Sequence, residues 1–494
     1  MADNNQSSYR SIFKATSLFG GVQVYHILVQ IIKSKFVAVL LGPAGVGIMG
    51  LYQSGLHLVQ QLSSMGLAQS AVRDVSEANG SNDIQRIAKT VTVFRKLVWF
   101  TGLLGIIIVA CCSPLLSKAS FGNYDYTIPF IILSVTLLVD QLSAGQKVVL
   151  QGMRKLKDLA KCTAFGVTFG LITSIPLYYW LGVSGIVPSL ILHSVCSLVL
   201  SWYYSRNIKI EKVQITPKQT LAQGKQMLVM GISMSLSGIF ASIVSYAIRG
   251  FIQSNGGVEQ VGLFQAGFVI MTTYVGMVMN AIGTDYYPLL AAINKDNIKC
   301  RAAVSQQGEI GAMILGPMLT FCLVFMPFVL QILYSDSFMA ANEYVTWACL
   351  GMMLRFGAWV ISYLFVAKAE SKLFVKVELS ANVYYLVFSL LGYKYFGLTG
   401  LGLAFALEYV VYFLQCYLIA RQRYDFKFSN SFIRCYGSQL LLVIACLSIV
   451  MALNGWLKYT LGCIVITISC YLGIKGLNQR MNLLELVRNK IVKK

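Results

Sequence analysis

The stretch KFVAVLLGPAGVGIMG, residues 35–50, begins as an apolar helix that carries a lysine and then breaks at Gly42 and Pro43. Glycine tolerates a positive φ and proline favours the first turn of a helix, so this break predicts a tight turn between two helices. The stretch on each side is apolar for about 20 residues, which is the length that crosses a hydrocarbon layer. The segment therefore predicts a helical hairpin whose turn lies at a membrane surface.

The whole chain has the composition of a membrane protein. Of its 494 residues, 56% are hydrophobic and 12% are charged, whereas roughly a quarter of the residues of soluble domains are charged. Apolar stretches of suitable length predict about fourteen transmembrane helices. We therefore expect an all-α integral membrane protein in which the helices themselves carry the function, because no connecting segment is long enough for a soluble catalytic domain.

The basic residues predict how the chain is oriented. Of the 40 lysines and arginines, 33 fall in the termini and in the connections on one side, four lie inside predicted spans, and the other side keeps Lys118, Lys394 and Lys458. Short loops rich in Lys and Arg stay in the cytoplasm, so both termini are predicted to be cytoplasmic. The net charge of +21 then faces the anionic inner leaflet, and nucleic acid is not needed to explain it.

An internal repeat relates positions that are 215 residues apart. The Val-Gly pair of GVGIMG, which ends at Gly47, recurs in QVGLFQ at Gly262, and GVSG at Gly182 matches GLTG at Gly397. Six spans lie in each copy and both copies start on the same side, which predicts two parallel lobes that face a central cavity. The predicted parts are a cytoplasmic N-terminus (1–11), an N-terminal six-helix lobe (12–205), a cytoplasmic inter-lobe loop (206–224), a C-terminal six-helix lobe (225–420), two additional helices (421–475) and a basic amphipathic cytoplasmic tail (476–494).

Several segments, in their order along the chain, resemble a known family. With residues 35–50, LQGMRKLKDLAK at 150–161, YAIRGFI at 246–252 and YLFVAKAESKLFVKVELS at 363–380 are similar to the Wzx-type flippases of O-antigen and enterobacterial common antigen, in the multidrug/oligosaccharidyl-lipid/polysaccharide exporter superfamily. The resemblance covers about residues 10–420. It implies translocation of an undecaprenyl-pyrophosphate-linked oligosaccharide across the bacterial inner membrane by alternating access. It also implies the polysaccharide polymerase and chain-length regulator as partners, and no cofactor apart from a coupling proton or sodium ion.

Charged and polar residues inside the spans are the candidate site residues, because a charge at a helix centre costs about 2.5–3.5 kcal/mol on insertion scales. The candidates for contact with pyrophosphate or sugar are Lys33, Lys35, Arg249, Arg355, Asp285, Gln265 and Asn280, and the candidates for ion coupling are Glu408 and Asp140. The offset of 215 pairs Asp140 with Arg355 and His193 with Glu408.

Each candidate has a structural alternative. Lys33, Lys35 and Arg249 lie in the outer thirds of their spans and could extend to the interface. Arg355 could form a static ion pair with Asp140, and Asp285 could cap a turn. Gln265 and Asn280 could join helices, and Glu378 is expected to be a surface partner of Lys376, two residues before it.

Three other functions remain open at this stage. A drug or cation antiporter of the same superfamily would favour cavity carboxylates, and a lipid II flippase resembles these motifs less. A membrane polymerase or glycosyltransferase needs a sizeable loop for its catalytic groups, and no Ser/His/Asp grouping or phosphate loop occurs here. For this reason no enzyme is expected. The twelve cysteines form no CxxC pair, so no metal site is expected either.

Overall fold

The computed structural model describes residues 2–80, 83–153, 155–208, 210–211, 213–279, 282, 286, 289–290, 293–368 and 370–481, with the backbone alone for residues 2–24. These parts of the chain are almost entirely helical and contain no strand. We number twelve long helices within them: α1 Ala2–Ser64, α2 Leu67–Gly80, α3 Ile84–Phe121, α4 Thr127–Gly152, α5 Leu156–Leu181, α6 Ile186–Ser205, α7 Pro217–Val269, α8 Asn297–Leu333, α9 Ala341–Ala367, α10 Ser371–Tyr424, α11 Asn430–Ala452 and α12 Trp456–Met481.

Ten helical segments of the described chain are long and apolar enough to cross a membrane. Four of them contain a glycine that leaves the helical conformation: Gly42, Gly182, Gly257 and Gly397. At Gly42, φ is 65° and ψ is −172°, which confirms the turn expected from LGPAG. The glycines divide these four segments into two arms each, an arrangement compatible with fourteen crossings. The number fourteen itself stays a prediction.

The glycine interruptions also carry the internal repeat. Gly257 has φ 80° and ψ 176°, close to the values at Gly42, and it lies 215 residues later. Gly397 has φ 58° and ψ −137°, which match the 54° and −132° of Gly182 at the same offset. Left-handed φ values favour glycine strongly. The repeated dihedral angles therefore confirm that the two copies share one backbone design.

The chain divides into two compact units, Met1–Gly262 and Leu263–Lys494. The first unit extends beyond the lobe predicted at 12–205, because α7 begins at Pro217 and its first arm, residues 217–256, packs against α1. A side-chain carbon at Gly231 of α7 would lie 2.4 Å from the carbonyl oxygen of Met65. The backbones therefore touch there, at the end of α1. The lobe boundaries read from the repeat stay predictions.

A second close approach inside this first unit follows the repeat symmetry. A side-chain carbon at Gly47 would lie 2.0 Å from the carbonyl oxygen of Val258, and one at Gly262 would lie 1.9 Å from that of Pro43. Pro43 and Val258 are 215 positions apart, as are Gly47 and Gly262. The two contacts are thus equivalent, and the backbone of residues 43–47 touches the backbone of residues 258–262.

The two C-terminal helices pack on α8 within the second unit. Side chains of α11 fill the spaces left by glycines of α8, with Phe432 on Gly308 and Gln439 on Gly316. Gln439 donates a hydrogen bond to the Ser469 carbonyl in α12 at 3.2 Å, and Ser469 Oγ donates back to Gln439 Oε1 at 2.6 Å. This buried pair joins α11 to α12.

Candidate functional site

Arg249 lies in a polar seam between α1 and α7 of the first unit. It is only 5% exposed, and its guanidinium donates to the Ser245 carbonyl at 3.0 Å and to Ser245 Oγ. Because Ser245 lies one turn before it, the side chain points away from the Gly257 turn and toward the middle of the span. This direction is opposite to the one that snorkelling to the interface requires. Across the seam, His57 bonds with Ser242 Oγ at 3.2 Å.

A second group, the basic cluster, is partly buried within the first unit and comprises His26, Lys33, Asp140, Lys147 and His193. His193 of α6 lies within electrostatic range of Lys33, Lys147 and His26. His26 and Lys33 are seven residues apart on α1, and Asp140 and Lys147 are seven apart on α4. Seven residues make about two helical turns, so each pair occupies one face of its helix. Three helices thus bring these groups together.

Hydrogen bonds hold the α4 side of the basic cluster. Lys147 Nζ donates to Ser197 Oγ of α6 at 3.0 Å, and Ser143 bonds with the same hydroxyl at 2.9 Å. Asp140 accepts a hydrogen bond from Ser194 and faces Lys147. Asp140 and Lys147, the two charged residues of α4, therefore both have neighbouring partners.

Lys33 and His193 do not have such partners for all of their polar atoms. Lys33 makes no hydrogen bond or ion pair with any described residue. The Nδ1 atom of His193 is buried and has no hydrogen-bond partner among the described groups. A side-chain carbon at Gly170 would lie 2.0 Å from this nitrogen, so α5 accommodates the ring only because residue 170 is glycine.

Lys33 and Lys35 do not belong to one site. Side chains two residues apart on a helix point about 200° away from each other. Lys33 faces His193 in the interior of the unit, and Lys35 consequently faces the other side of α1. The spacing in the sequence separates the two lysines but does not say which of them faces His193.

A third group, the arginine cluster, lies in the second unit and comprises Arg355, Glu378, Glu408, Tyr344, Tyr385, Tyr409 and Tyr412. Arg355 lies over the ring of Tyr409 at 5.7 Å, with Glu408 and Glu378 within electrostatic range. Neither carboxylate approaches within the 4.0 Å of an ion pair. Glu408 is 5% exposed. The guanidinium therefore lies near one buried carboxylate, Glu408, and one partly buried carboxylate, Glu378, without a direct ion pair to either.

Tyrosine hydroxyls complete the arginine cluster. Tyr412 donates a hydrogen bond to Glu378 Oε1, and the Tyr409 and Tyr412 rings are 6.1 Å apart. Tyr344, also beside Glu408 and Arg355, keeps a buried hydroxyl without a partner among the described residues. Glu378 was expected at the surface beside Lys376. That expectation is wrong, because the face of α10 that carries Glu378 packs against the second arm of the same helix.

The basic cluster and the arginine cluster occupy equivalent places in the repeat. The offset of 215 pairs Asp140 with Arg355 and His193 with Glu408. The same offset relates the remaining polar positions, pairing Ser194 with Tyr409, Ser197 with Tyr412, Lys147 with Ser362 and Gly170 with Tyr385. The same place in the repeat therefore carries mainly basic residues in the first copy and mainly acidic residues in the second.

The other predicted residues are placed as follows. Gln265 is partly buried in the second arm of α7 and makes contacts there. Asn280 and Asp285 lie outside the described residues. Of residues 284–288, the sequence TDYYP that contains Asp285, only Tyr286 is described; it is 1% exposed and donates a hydrogen bond to the Val360 carbonyl at 2.7 Å. Sequence reasoning missed Lys147, which it counted among cytoplasmic cations.

Comparison with protein families identifies the chain. The family described as "Polysaccharide biosynthesis protein" matches residues 36–343, which is more than half of the sequence. The chain belongs to this family. Its matched region holds the polar seam and every member of the basic cluster except His26 and Lys33.

Individual relatives of this polysaccharide biosynthesis protein are distant but extend over most of its length. It is 21% identical over 428 residues to the lipid III flippase of Escherichia coli (strain K12), covering 84% of this chain and 100% of that protein. It is 23% identical over 392 residues to a Shigella flexneri protein named as a candidate O-antigen transporter, covering 78% and 91%.

Solved structures show the fold of this family member. An inward-facing multidrug resistance MATE family transporter of the MOP superfamily aligns with a TM-score of 0.71 at 16% identity, over 82% of this chain and 94% of that one. The lipid II flippase MurJ in an inward closed conformation aligns with a TM-score of 0.64 at 12% identity, over 96% and 99%.

Proposed function

We propose that this chain is a flippase that moves an undecaprenyl-pyrophosphate-linked oligosaccharide across the bacterial inner membrane. The observation that carries the proposal is the match to a lipid III flippase over that protein's entire length, within a family named for polysaccharide biosynthesis. A lipid-linked glycan has an apolar tail that can stay in the bilayer, whereas its charged and polar headgroup needs partners at membrane depth. The polar groups inside the first unit supply such partners.

Alternating access between the two repeat copies is the mechanism we propose. Parallel repeats around a midplane site are a common design of transporters, and both aligned structures have this fold. The glycine turns at Gly42 and Gly257 have matching backbone geometry, so equivalent elements can move in equivalent ways in each copy. No covalent chemistry is required, and the chain acts as a carrier.

The arginine cluster is the part of the chain that we propose to couple transport to an ion. Two carboxylates and one guanidinium leave one negative charge in the interior of the second unit, and an uncompensated charge at that depth is costly. A proton or a sodium ion bound to Glu378 or Glu408 would neutralise it. Asp140 is the less suitable coupling residue, because Ser194 and Lys147 already hold it.

The same charges argue against phosphate contact by Arg355. A pyrophosphate beside Arg355 would lie close to Glu378 and Glu408, and like charges in an apolar interior repel strongly. We therefore place Arg355 in the coupling site and not in the headgroup site. Glu408→Gln should lower export strongly and leave the residual export independent of external pH. Residual export that still varies with external pH would place the coupling elsewhere.

Gene deletion followed by complementation tests the flippase itself. Loss of the gene should remove surface polysaccharide and leave lipid-linked repeat units accumulated, with their sugars accessible only from the cytoplasm. Complementation with the full chain should reverse both effects. Surface polysaccharide at the parental level in the deletion strain would refute the proposal.

A further inference from the structure

We propose that a groove at the start of α7 binds an anionic phospholipid of the bilayer. The groove has a volume of about 450 Å³ and lies within the first unit, between the end of α1 and the first turns of α7. Its lining residues are Met65, Ala222, Lys225, Leu228, Val229 and Ile232. Such a lipid is a component of the surrounding membrane, so its binding does not depend on the function proposed above.

The two faces of α7 explain why the groove stays open. One face packs into the first unit, where Met227 is 4% exposed and the backbone at Gly231 touches the backbone at Met65. Side chains two residues apart on a helix point about 200° away from each other. On the opposite face, Val229 is 56% exposed and Ile232 is 42% exposed. The groove is therefore lined by apolar side chains that the rest of the first unit leaves exposed.

Met65 forms the other wall of the groove from a costly backbone position. Its φ is 50° and that of Gly66 is 62°, in the left-handed region that residues other than glycine rarely adopt. Such conformations cluster at binding sites. Here the side chain of Met65 lines the groove, and an unbranched thioether adapts well to irregular apolar surfaces. The tight turn after α1 thus presents a flexible apolar side chain to the ligand.

The charges at one end of the groove favour an anionic headgroup. Lys225 is the one charged residue of the described lining, and Lys218 lies seven residues before it, about two turns away on the same face of α7. Neither lysine forms an ion pair with a described residue. The guanidinium of Arg73 contacts the sulfur of Met230 at 3.1 Å, and Asp74 lies within electrostatic range of Arg73. Three cations and one carboxylate therefore lie near this end, which leaves it positive.

The order of the groups along α7 matches the shape of a phospholipid. Lys218 and Lys225 precede Val229, Ile232 and Leu236 on one face of the helix, and the apolar residues lead into the segment that is long and apolar enough to cross a membrane. Lysines at the ends of spans extend to the level of the lipid headgroups, and basic residues there attract anionic lipids. An acyl chain can follow the apolar residues while its phosphate lies beside Lys225.

The lining of the groove argues against a glycan as the ligand. An oligosaccharide is polar and needs several hydrogen-bonding partners, whereas five of the six lining residues are apolar. Buried polar groups that can serve a sugar lie elsewhere in the first unit, in the polar seam. The groove therefore suits a membrane phospholipid better than a lipid-linked oligosaccharide.

Native mass spectrometry of the purified full-length protein tests the groove. The protein is delipidated in detergent and titrated with phosphatidylglycerol, which is anionic, or with phosphatidylethanolamine, which is zwitterionic. We expect phosphatidylglycerol to bind more tightly. Lys225→Gln should weaken its binding roughly fivefold, the effect of one basic residue at an anionic surface. Val229→Trp should weaken it at least as much, because the indole fills the groove.

Two matched controls lie outside the groove. Lys161→Gln removes an exposed lysine of α5, and Val199→Trp changes a valine of α6 that is 55% exposed. Both variants should bind phosphatidylglycerol as the unmodified protein does. Equal losses in Lys225→Gln and Lys161→Gln would show a general effect of charge and would overturn the site. Unchanged binding in Val229→Trp would overturn it as well.

A polyprenyl pyrophosphate distinguishes the proposed occupant from a transport substrate. Geranylgeranyl pyrophosphate should bind the Val229→Trp variant as well as it binds the unmodified protein. Loss of that binding in Val229→Trp would make a transport substrate the occupant of the groove and would overturn the proposal. Ala222→Phe narrows the groove from another position, and it decides the result if Val229→Trp does not elute as a single monodisperse species.

Discussion

At the scale of single residues, the arginine cluster makes a prediction about stability. Arg355→Met should destabilise the protein by about 3–5 kcal/mol, because it leaves the buried carboxylate of Glu408 and the partly buried one of Glu378 without their cation. Adding Glu408→Gln should recover part of that loss, since only the partly buried carboxylate then remains. Thermal unfolding of the single and double variants in nanodiscs measures the coupling. Additive losses would show that Arg355 and Glu408 do not share a site.

The residues of these clusters differ in how easily they can be identified as candidates from the sequence. Lys33, Asp140, Arg355 and Glu408 stand out because each interrupts an apolar run. Lys147 and Glu378 lie near the ends of their spans, where a charge is ordinarily explained by the adjoining loop. Their long side chains reach back to Ser197 and Tyr412, and only the packing of helices against each other reveals this.

The role of Gly170 could not be recognised from the sequence. Nothing in a helical run signals that a histidine ring from another helix rests on that position. The offset of 215 does link position 170 to Tyr385 of the arginine cluster. That relation becomes informative only after His193 has been placed on α6, because a repeat by itself gives no contacts between helices.

At the scale of elements, the contact between residues 43–47 and 258–262 leads to a second prediction. Gly47→Ala and Gly262→Ala each place a carbon about 2 Å from a carbonyl oxygen, and no rotamer can relieve a Cβ clash. Both variants should give less folded protein with a lower thermal midpoint. The matched control is Gly166→Ala in α5, where nothing lies within 4 Å of the added carbon.

That control should be neutral or stabilising by up to about 1 kcal/mol, because alanine is the better helix former. Wild-type stability in Gly47→Ala would mean that the two segments do not touch so closely. Equal losses in all three variants would point to a general intolerance of the membrane helices to alanine.

The C-terminal hairpin gives a third prediction. Gln439→Ala removes the buried hydrogen bonds between α11 and α12 and should cost about 0.5–2 kcal/mol, the range for hydrogen bonds between membrane helices. Ser448→Ala in the same helix is the control, since its hydroxyl bonds only within α11. Export in vivo should be retained by both variants. Loss of export in a stable Gln439→Ala protein would contradict a supporting role for the hairpin.

The helical hairpins were predictable because glycine and proline mark turns even inside apolar sequence. GVSG and GLTG, like LGPAG, identify breaks that recur with the same dihedral angles. The compact units were less predictable, since the first arm of α7 belongs to the second repeat by sequence but packs with the first unit. Contacts between copies of a repeat depend on small residues such as Gly66 and Gly231, and the sequence alone does not show which residues these glycines contact.

At the scale of the whole molecule, the distribution of basic residues makes a fourth prediction. Both termini should lie in the cytoplasm, because 33 of the 40 basic residues are then on the inner side. A green fluorescent protein fused after Lys494 should fluoresce, while alkaline phosphatase fused there should be inactive. Active phosphatase at that position would reverse the topology.

The central claim, transport of a lipid-linked glycan and not of a drug, is tested most directly by reconstitution. Vesicles that contain the purified chain are loaded with a prenyl-pyrophosphate-linked oligosaccharide, and a glycosidase added outside reports which leaflet holds the sugar. We predict that the protein exposes the inner-leaflet glycan to the enzyme, that Lys33→Ala slows this exposure, and that a cationic dye such as rhodamine 6G is not moved. Transport of the dye with no movement of the glycan would contradict the account.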